Sequence, residues 1–288
     1  MTYFRPLFVA GMSAALLLGG CGKKEERKTD VKVPVQTNGT PVDYAITGDW
    51  RGDHAGRDNY RHPKETLTFF GFDPSKSTIE IFPGGGWYTS ILAPAIKKGG
   101  GRYSAAIFEA AMGEYYVKNN KKFVAKFADE KRFGNLNTMQ FGATSEPLAD
   151  ASADLVLSFR NVHNWMGKGY ADKAFADFYA ALKPGGILGI VEHRLPESRE
   201  QDMKAGSGYV QVSYVKSLAE EAGFEFVGAS EINANPKDNA DHPFGVWTLP
   251  PASRTPKDKS KLPEGFDPAK YLKIGESDRF TLKFRKPE

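Results

Sequence analysis

Ile79-Glu80-Ile81-Phe82-Pro83-Gly84-Gly85-Gly86-Trp87-Tyr88 sets a short apolar run with one acid inside it against three consecutive glycines. The pattern predicts a strand over Thr78 to Phe82, a sharp turn, and a helix from Trp87 to about Ala95. Glycine suits such a turn because a Cβ blocks both left-handed backbone and the close approach of a ligand, while the free N–H groups of a helix start attract anions. A tight turn with glycines for packing alone reads the same residues without a ligand.

A second stretch supports the first. Leu182-Lys183-Pro184-Gly185-Gly186-Ile187-Leu188-Gly189-Ile190-Val191-Glu192 reads as helix end, tight turn and buried strand. Between and around the two, alternation continues. Arg102 to Ile107, Thr138 to Phe141 and Asp154 to Phe159 read as strands, and Gly113 to Asp129, Ala171 to Leu182 and Gln211 to Gly223 as helices with apolar stripes. Asp278 to Phe284 alternates polar and apolar, as an antiparallel or edge strand does. The expected fold is α/β, a doubly wound, mostly parallel seven-stranded Rossmann-like sheet with an antiparallel last strand.

The glycine loop after the first strand and the K-P-G-G turn before the fifth resemble the class I S-adenosylmethionine-dependent methyltransferases, over about residues 64 to 288. Arg57 to Pro63, Glu80 to Pro94, Leu157 to Trp165, Lys183 to Arg194 and Gly245 to Pro251 are similar to a bacterial group of exported, methyltransferase-like proteins. The resemblance implies S-adenosylmethionine as cofactor, its amino-acid end on the backbone of Gly84, Gly85, Gly86 and Trp87, with Glu80 orienting the loop or, through water, the ammonium. The chain departs from the family at Phe82, where the first glycine usually stands, at Ala106 or Ile107, where an acid usually meets the ribose, and at Ala143, where another meets adenine. Glu109 and Thr144 are the positional substitutes.

In open α/β sheets ligands sit beyond the carboxyl ends of the strands. Ser158-Phe159-Arg160-Asn161-Val162-His163-Asn164-Trp165 is the densest polar cluster at such an end. His163 is the candidate general base, because imidazole titrates near neutrality. Arg160 and Asn161 are candidates to orient an acceptor, and Trp165 to wall it. A loop whose Asn and His satisfy backbone groups is the competing reading. Glu192 offers a carboxylate base or substrate ligand, or a salt bridge to Arg194. His54, Asp58 and His62 are four apart, the spacing of ligands on one helix face, but Gly56 and Pro63 oppose a regular helix there. The preferred reading is a cap over the pocket, with Tyr60, Arg61 and His62 closing it, and no resident metal is expected.

The N-terminus carries Arg5, an apolar run from Leu7 to Leu18, and Leu18-Gly19-Gly20-Cys21. The run is shorter than the ~20 residues a membrane span needs and has the layout of an export signal. It resembles a bacterial lipobox, which implies removal of residues 1–20 and lipid on Cys21, and the polar, mixed-charge stretch without apolar period that follows reads as a flexible tether over 21–43. The expected address is the periplasmic face of an outer membrane. One domain over 44–288 follows, with an N-terminal cap over 44–77 and a long insertion over 232–277. Cys21 is the only cysteine, which excludes internal disulfides and sulfur-based catalysis. A formal net charge of +4 without a basic stripe argues against nucleic-acid binding.

The expected activity is methyl transfer to a small-molecule acceptor. Two alternatives stay open: a ligand-binding or envelope-interaction module that keeps the fold without catalysis, and a nicotinamide-dependent oxidoreductase. The latter fits less well, because Thr89 stands at the third glycine position of G-x-G-x-x-G.

Overall fold

The structure is a computed structural model that describes residues 39–288. Cys21, the leader and most of the tether lie outside the described residues. The strands of the sheet are β1 (Ser77–Ile81), β2 (Arg102–Phe108), β3 (Asn137–Phe141), β4 (Ala153–Phe159), β5 (Leu182–His193), β6 (Glu225–Ser230) and β7 (Arg279–Arg285), and a short strand over Pro243–Val246 lies outside it. They form one seven-stranded sheet in the order β3-β2-β1-β4-β5-β7-β6. The pairs from β3 across to β5 are parallel, and β7 runs antiparallel between β5 and β6. Strand order reverses between β1 and β4, so the ligand crevice belongs over their carboxyl ends.

The helices are α1 (Pro41–Ile46), α2 (Asp58–Arg61), α3 (Pro63–Phe70), α4 (Thr89–Gly99), α5 (Glu114–Lys126), α6 (Glu130–Phe133), α7 (Val162–Lys168), α8 (Ala171–Ala181), α9 (Val212–Glu221) and α10 (Pro268–Ile274). Apolar side chains of α3, α4 and α5, such as Phe70, Ile91 and Phe123, pack on one face of the sheet with Leu155 and Leu157. Those of α7, α8 and α9, such as Trp165, Phe178 and Val215, pack on the other with Ile79, Ile81 and Val156. Consecutive residues of β4 thus enter opposite cores, which is why its sequence is a continuous apolar run.

Several boundaries differ from the sequence reading. The last residues assigned to the tether fold: Thr40 and Asp43 make a reciprocal capping box that starts α1. Helix α4 begins at Thr89, two residues after Trp87, because Gly84 to Tyr88 form a turn. The K-P-G-G segment does not separate a helix from a later strand. It lies inside β5, where a register shift between Ala153 and Leu155 of β4 absorbs the extra residues and Gly185 donates its N–H to the Lys286 carbonyl.

Candidate active site

Two residues without the freedom of glycine hold positive φ at the crevice: Phe82 (46°), just after β1, and Arg160 (62°), just after β4. Such conformations cost about 1–3 kcal/mol each and persist where surrounding structure enforces them. Asn161 fastens the two turns together, donating from Nδ2 to the Ile81 carbonyl at 3.0 Å. The glycines then divide by role. A Cβ on Gly86 would run into the Phe127 ring, so Gly86 serves packing. Gly84 (φ 57°) and Gly85 have no atom within 4 Å of where a Cβ would stand. Their open sides face two cavities that they share with Phe82.

The larger cavity, about 520 Å³, lies between α5 and α7 and is walled by Phe108, Tyr115, Tyr116 and Phe123, with Asn119 and Asn164 as polar groups. Aromatic faces with a few polar groups suit a flat heterocycle. The space beside Gly84 is a cradle that a side chain would fill. These residues fit the nucleoside part of S-adenosylmethionine, with the glycine backbone under it. Glu109 and Thr144 do not line this cavity. They are bonded to each other, Thr144 donating from its N–H at 3.1 Å and its hydroxyl at 2.9 Å to the Glu109 carboxylate. Glu109 thereby ties the end of β2 to the loop after β3.

The smaller cavity, about 280 Å³, lies between the N-terminal cap and the ends of β1 and β4, and Arg57, Arg61, Arg160, His54 and Trp87 border it. Arg61 packs over the Trp87 ring with its guanidinium carbon 4.7 Å from the ring centre, an attraction that strengthens with desolvation. Burial and the neighbouring Arg160 push the Arg61 guanidinium down to about 8. His54 also lies below the usual imidazole range, through burial and then Lys126, Arg57, Arg51 and Arg61. Glu80 reaches the same wall from inside β1. Its carboxylate accepts from Thr89 Oγ1 at 2.8 Å and Tyr103 Oη at 2.7 Å, and burial holds it up to about 7 against both donors.

His163 and Glu192 meet, but away from both cavities. Glu192 is fully buried and receives the His163 N–H at 3.3 Å and the His193 N–H at 2.8 Å, with His163 Nδ1 3.1 Å from Oε1. It joins the start of α7 to the end of β5, so position and burial make it a structural carboxylate. The pairing of Glu192 with Arg194 does not occur, because Arg194 reaches Glu231 and Asp278 instead. His163, Glu192 and His193 bring potential metal-binding atoms within 4.8 Å of one another. His193 lies well below the usual imidazole range, through burial and then the positive field of His163, Arg160, Arg279 and Arg61. That field opposes a cation.

Other sequence candidates are relocated. Trp165 is no acceptor wall: it is fully buried, edge-on to Phe141, Phe175 and Phe178. Tyr60 is exposed and its carbonyl accepts from Arg279. His62 takes a left-handed φ of 38° ahead of α3 and borders a separate surface hollow. The His54, Asp58, His62 spacing does not form a ligand face, because the kinked cap turns His54 inward and Asp58 is clamped by both terminal nitrogens of Arg51, at 2.6 and 2.7 Å. The cap reaches the pocket through Arg57 and Arg61, neither of which the sequence singled out as a ligand. Glu276, late in the long insertion, holds them with Arg279. Its only sequence signal is an acid two residues before a predicted strand.

Residues 96–190 match a family model described as a methyltransferase domain. No curated protein matches the chain. Among solved structures, the [4+2]-cyclase SpnF is 14% identical, with a TM-score of 0.54 over 85% of this chain and 93% of that one. Phosphoethanolamine N-methyltransferase 2 of Haemonchus contortus, solved with S-adenosyl-L-methionine, is 15% identical, with a TM-score of 0.51 over 87% of this chain and 60% of that one. With the 3-2-1-4-5-7-6 strand order and the crevice over β1 and β4, these likenesses establish that residues 39–288 have the class I S-adenosylmethionine-dependent methyltransferase fold.

Proposed function

We propose that the chain is an S-adenosylmethionine-dependent methyltransferase acting on a small-molecule acceptor, held at the cell envelope by lipid on Cys21. The observation that carries the catalytic reading is that the Gly84-Gly85 backbone opens at once on an aromatic cavity of nucleoside character and on a polar cavity beside it. Phe108, Tyr116 and Asn119 would hold the nucleoside, and the glycine backbone would carry the link between the two cavities. Bound there, the cofactor supplies a methyl group activated by a sulfonium. The chain's own part is to align the acceptor and exclude water, a positioning role that needs no covalent group on the protein. A base is required only for an acceptor atom that carries a proton, and His163, buried against Glu192, does not face either cavity.

Titration calorimetry of the full-length chain with S-adenosylmethionine and S-adenosylhomocysteine tests the reading. Binding of both, with the homocysteine product competing, is the expected result. Failure of either to bind at millimolar concentration favours a non-catalytic module that keeps the fold. For the anchor, mass spectrometry of the protein from bacterial membranes should find acylated Cys21 as the first residue, and a Cys21→Ser variant should leave the membrane fraction.

A further inference from the structure

Three guanidinium-bearing residues, Arg57, Arg61 and Arg160, border the smaller cavity, and a fourth, Arg279, shares the Glu276 carboxylate with Arg57 and Arg61. Glu276 receives Arg57 Nε at 2.6 Å, Arg61 Nε at 3.1 Å and Arg279 Nη1 at 3.1 Å. Among the described residues it is the one acid in ion-pair contact with any of them. Arg279 is otherwise satisfied, donating to the carbonyls of Ser277 and Tyr60. The other three have donors left over. Arg57 Nη2 is buried without a partner. Arg61, 4% exposed, uses only Nε, so that neither Nη has a partner among the described residues. Arg160 lines the cavity, and its guanidinium makes no hydrogen bond or ion pair among the described residues. A buried guanidinium without a partner is costly, and a planar fork of donors is suited to oxyanions.

We propose that this cavity binds the dianionic group, phosphate in character, of the methyl acceptor, with Arg160, Arg61 and Arg57 as its ligands. The proposal rests on the methyltransferase reading and adds to it the class of acceptor. Charge decides against the cofactor as the sole occupant. S-adenosylmethionine is a net monocation, its carboxylate offset by its own ammonium and sulfonium, and cannot neutralise a surplus of guanidiniums. A dianionic acceptor does so, and its presence lowers the cost of bringing a cation into the neighbouring space. Burial supports the assignment: Arg160 lies below the usual guanidinium range chiefly through desolvation, and Arg279 is pushed down to about 10 by burial and by Arg160. Both shifts reverse when an oxyanion enters.

The test is calorimetry of the full-length chain with inorganic phosphate at pH 8, with and without S-adenosylhomocysteine. Acetate serves as a monoanionic control. Phosphate should bind saturably at one site, at least tenfold more tightly than acetate. Arg160→Asn, chosen because asparagine tolerates positive φ, should weaken phosphate at least tenfold and change S-adenosylhomocysteine affinity less than threefold. A measurement on the unaltered chain avoids dependence on that variant's folding: phosphate should protect Arg160 and Arg61 from phenylglyoxal, read by peptide mass spectrometry. A chain that binds S-adenosylhomocysteine but shows neither saturable phosphate binding nor protection overturns the anion site and leaves the methyltransferase reading standing. Phosphate binding unaffected in a folded Arg160→Asn variant overturns it as well. Phosphate binding that depends on Arg160, in a chain that ignores S-adenosylhomocysteine, supports the anion site and overturns the methyl-transfer reading.

Discussion

Phe82 packs against Phe108 with ring centroids 4.3 Å apart and the rings tilted by 35°, joining the turn after β1 to the end of β2. Its ring also meets Phe141 at 5.2 Å and Trp165 at 6.4 Å. The residue that departs from the family's glycine is therefore part of the core beneath the crevice, and its side chain helps separate the two cavities. Phe82→Gly would release the strain of a φ of 46°, worth ~1 kcal/mol, but would empty a site whose truncation costs ~3–5 kcal/mol. The expected net loss is about 2–4 kcal/mol, read as a lower urea midpoint with unchanged slope. Unchanged or raised stability would mean that the ring adds little to the core.

Glu80 is the buried acid whose titration should show in stability. Its folded value near 7 lies above the ordinary 4.5 through burial. The folded chain therefore holds the proton more tightly than the unfolded chain. The associated stabilisation is full below about pH 4.5 and is lost as pH rises through about 7, with a span on the order of 3 kcal/mol. Glu80→Gln should flatten the decline between pH 5 and 8 and raise the melting temperature at pH 8 relative to the parent. A parallel pair of pH profiles would show that Glu80 does not carry this term.

The sheet was legible because its central parallel strands β1 and β4 are buried almost throughout and stand out as apolar runs, and because β7 alternates polar and apolar residues in sequence. The glycine loop was legible for the same local reason, that positive φ at Gly84 calls for glycine. Much of the site was not. Arg57 and Arg61 follow a kink at Gly52, at φ 47° and ψ −134°, that breaks the helical course of the cap, and no periodicity encodes that kink. Glu276 lies 219 residues from Arg57, a separation that local pattern does not bridge. Trp165 was misplaced because an aromatic next to polar residues reads equally as a pocket wall or as the inward face of a short helix.

Glu276 organises the basic wall, so its removal should be severe. Burial raises its carboxyl, but Arg61, Arg279 and Arg57 more than offset this and leave it below the ordinary 4.5. A depressed folded value stabilises above about pH 4.5 and is lost as pH falls through it. Glu276→Gln should cost about 3–5 kcal/mol at pH 7, because it leaves Arg61 and Arg279 buried beside a neutral amide. The difference from the parent should shrink below pH 4. Thermal unfolding of both proteins across that range measures the effect, and a constant difference would rule out the carboxylate's charge as its source.

Gly84 and Gly86 provide the sharpest separation of packing from ligand contact, because both hold positive φ, 57° and 76°, and differ in what stands beside them. Alanine at either position carries a backbone cost of roughly 1–2 kcal/mol. At Gly86 the methyl also meets the Phe127 ring, adding an overpacking cost of ~1–3 kcal/mol. At Gly84 it meets nothing and projects into the cradle between the cavities. Gly86→Ala should therefore be the less stable variant yet keep its affinity for S-adenosylhomocysteine within a fewfold when folded. Gly84→Ala should melt closer to the parent but lose that affinity tenfold or more. Calorimetry and melting curves on both variants decide the matter, and equal binding losses at the two positions would show that the loop acts by its overall shape and not through an open side at Gly84.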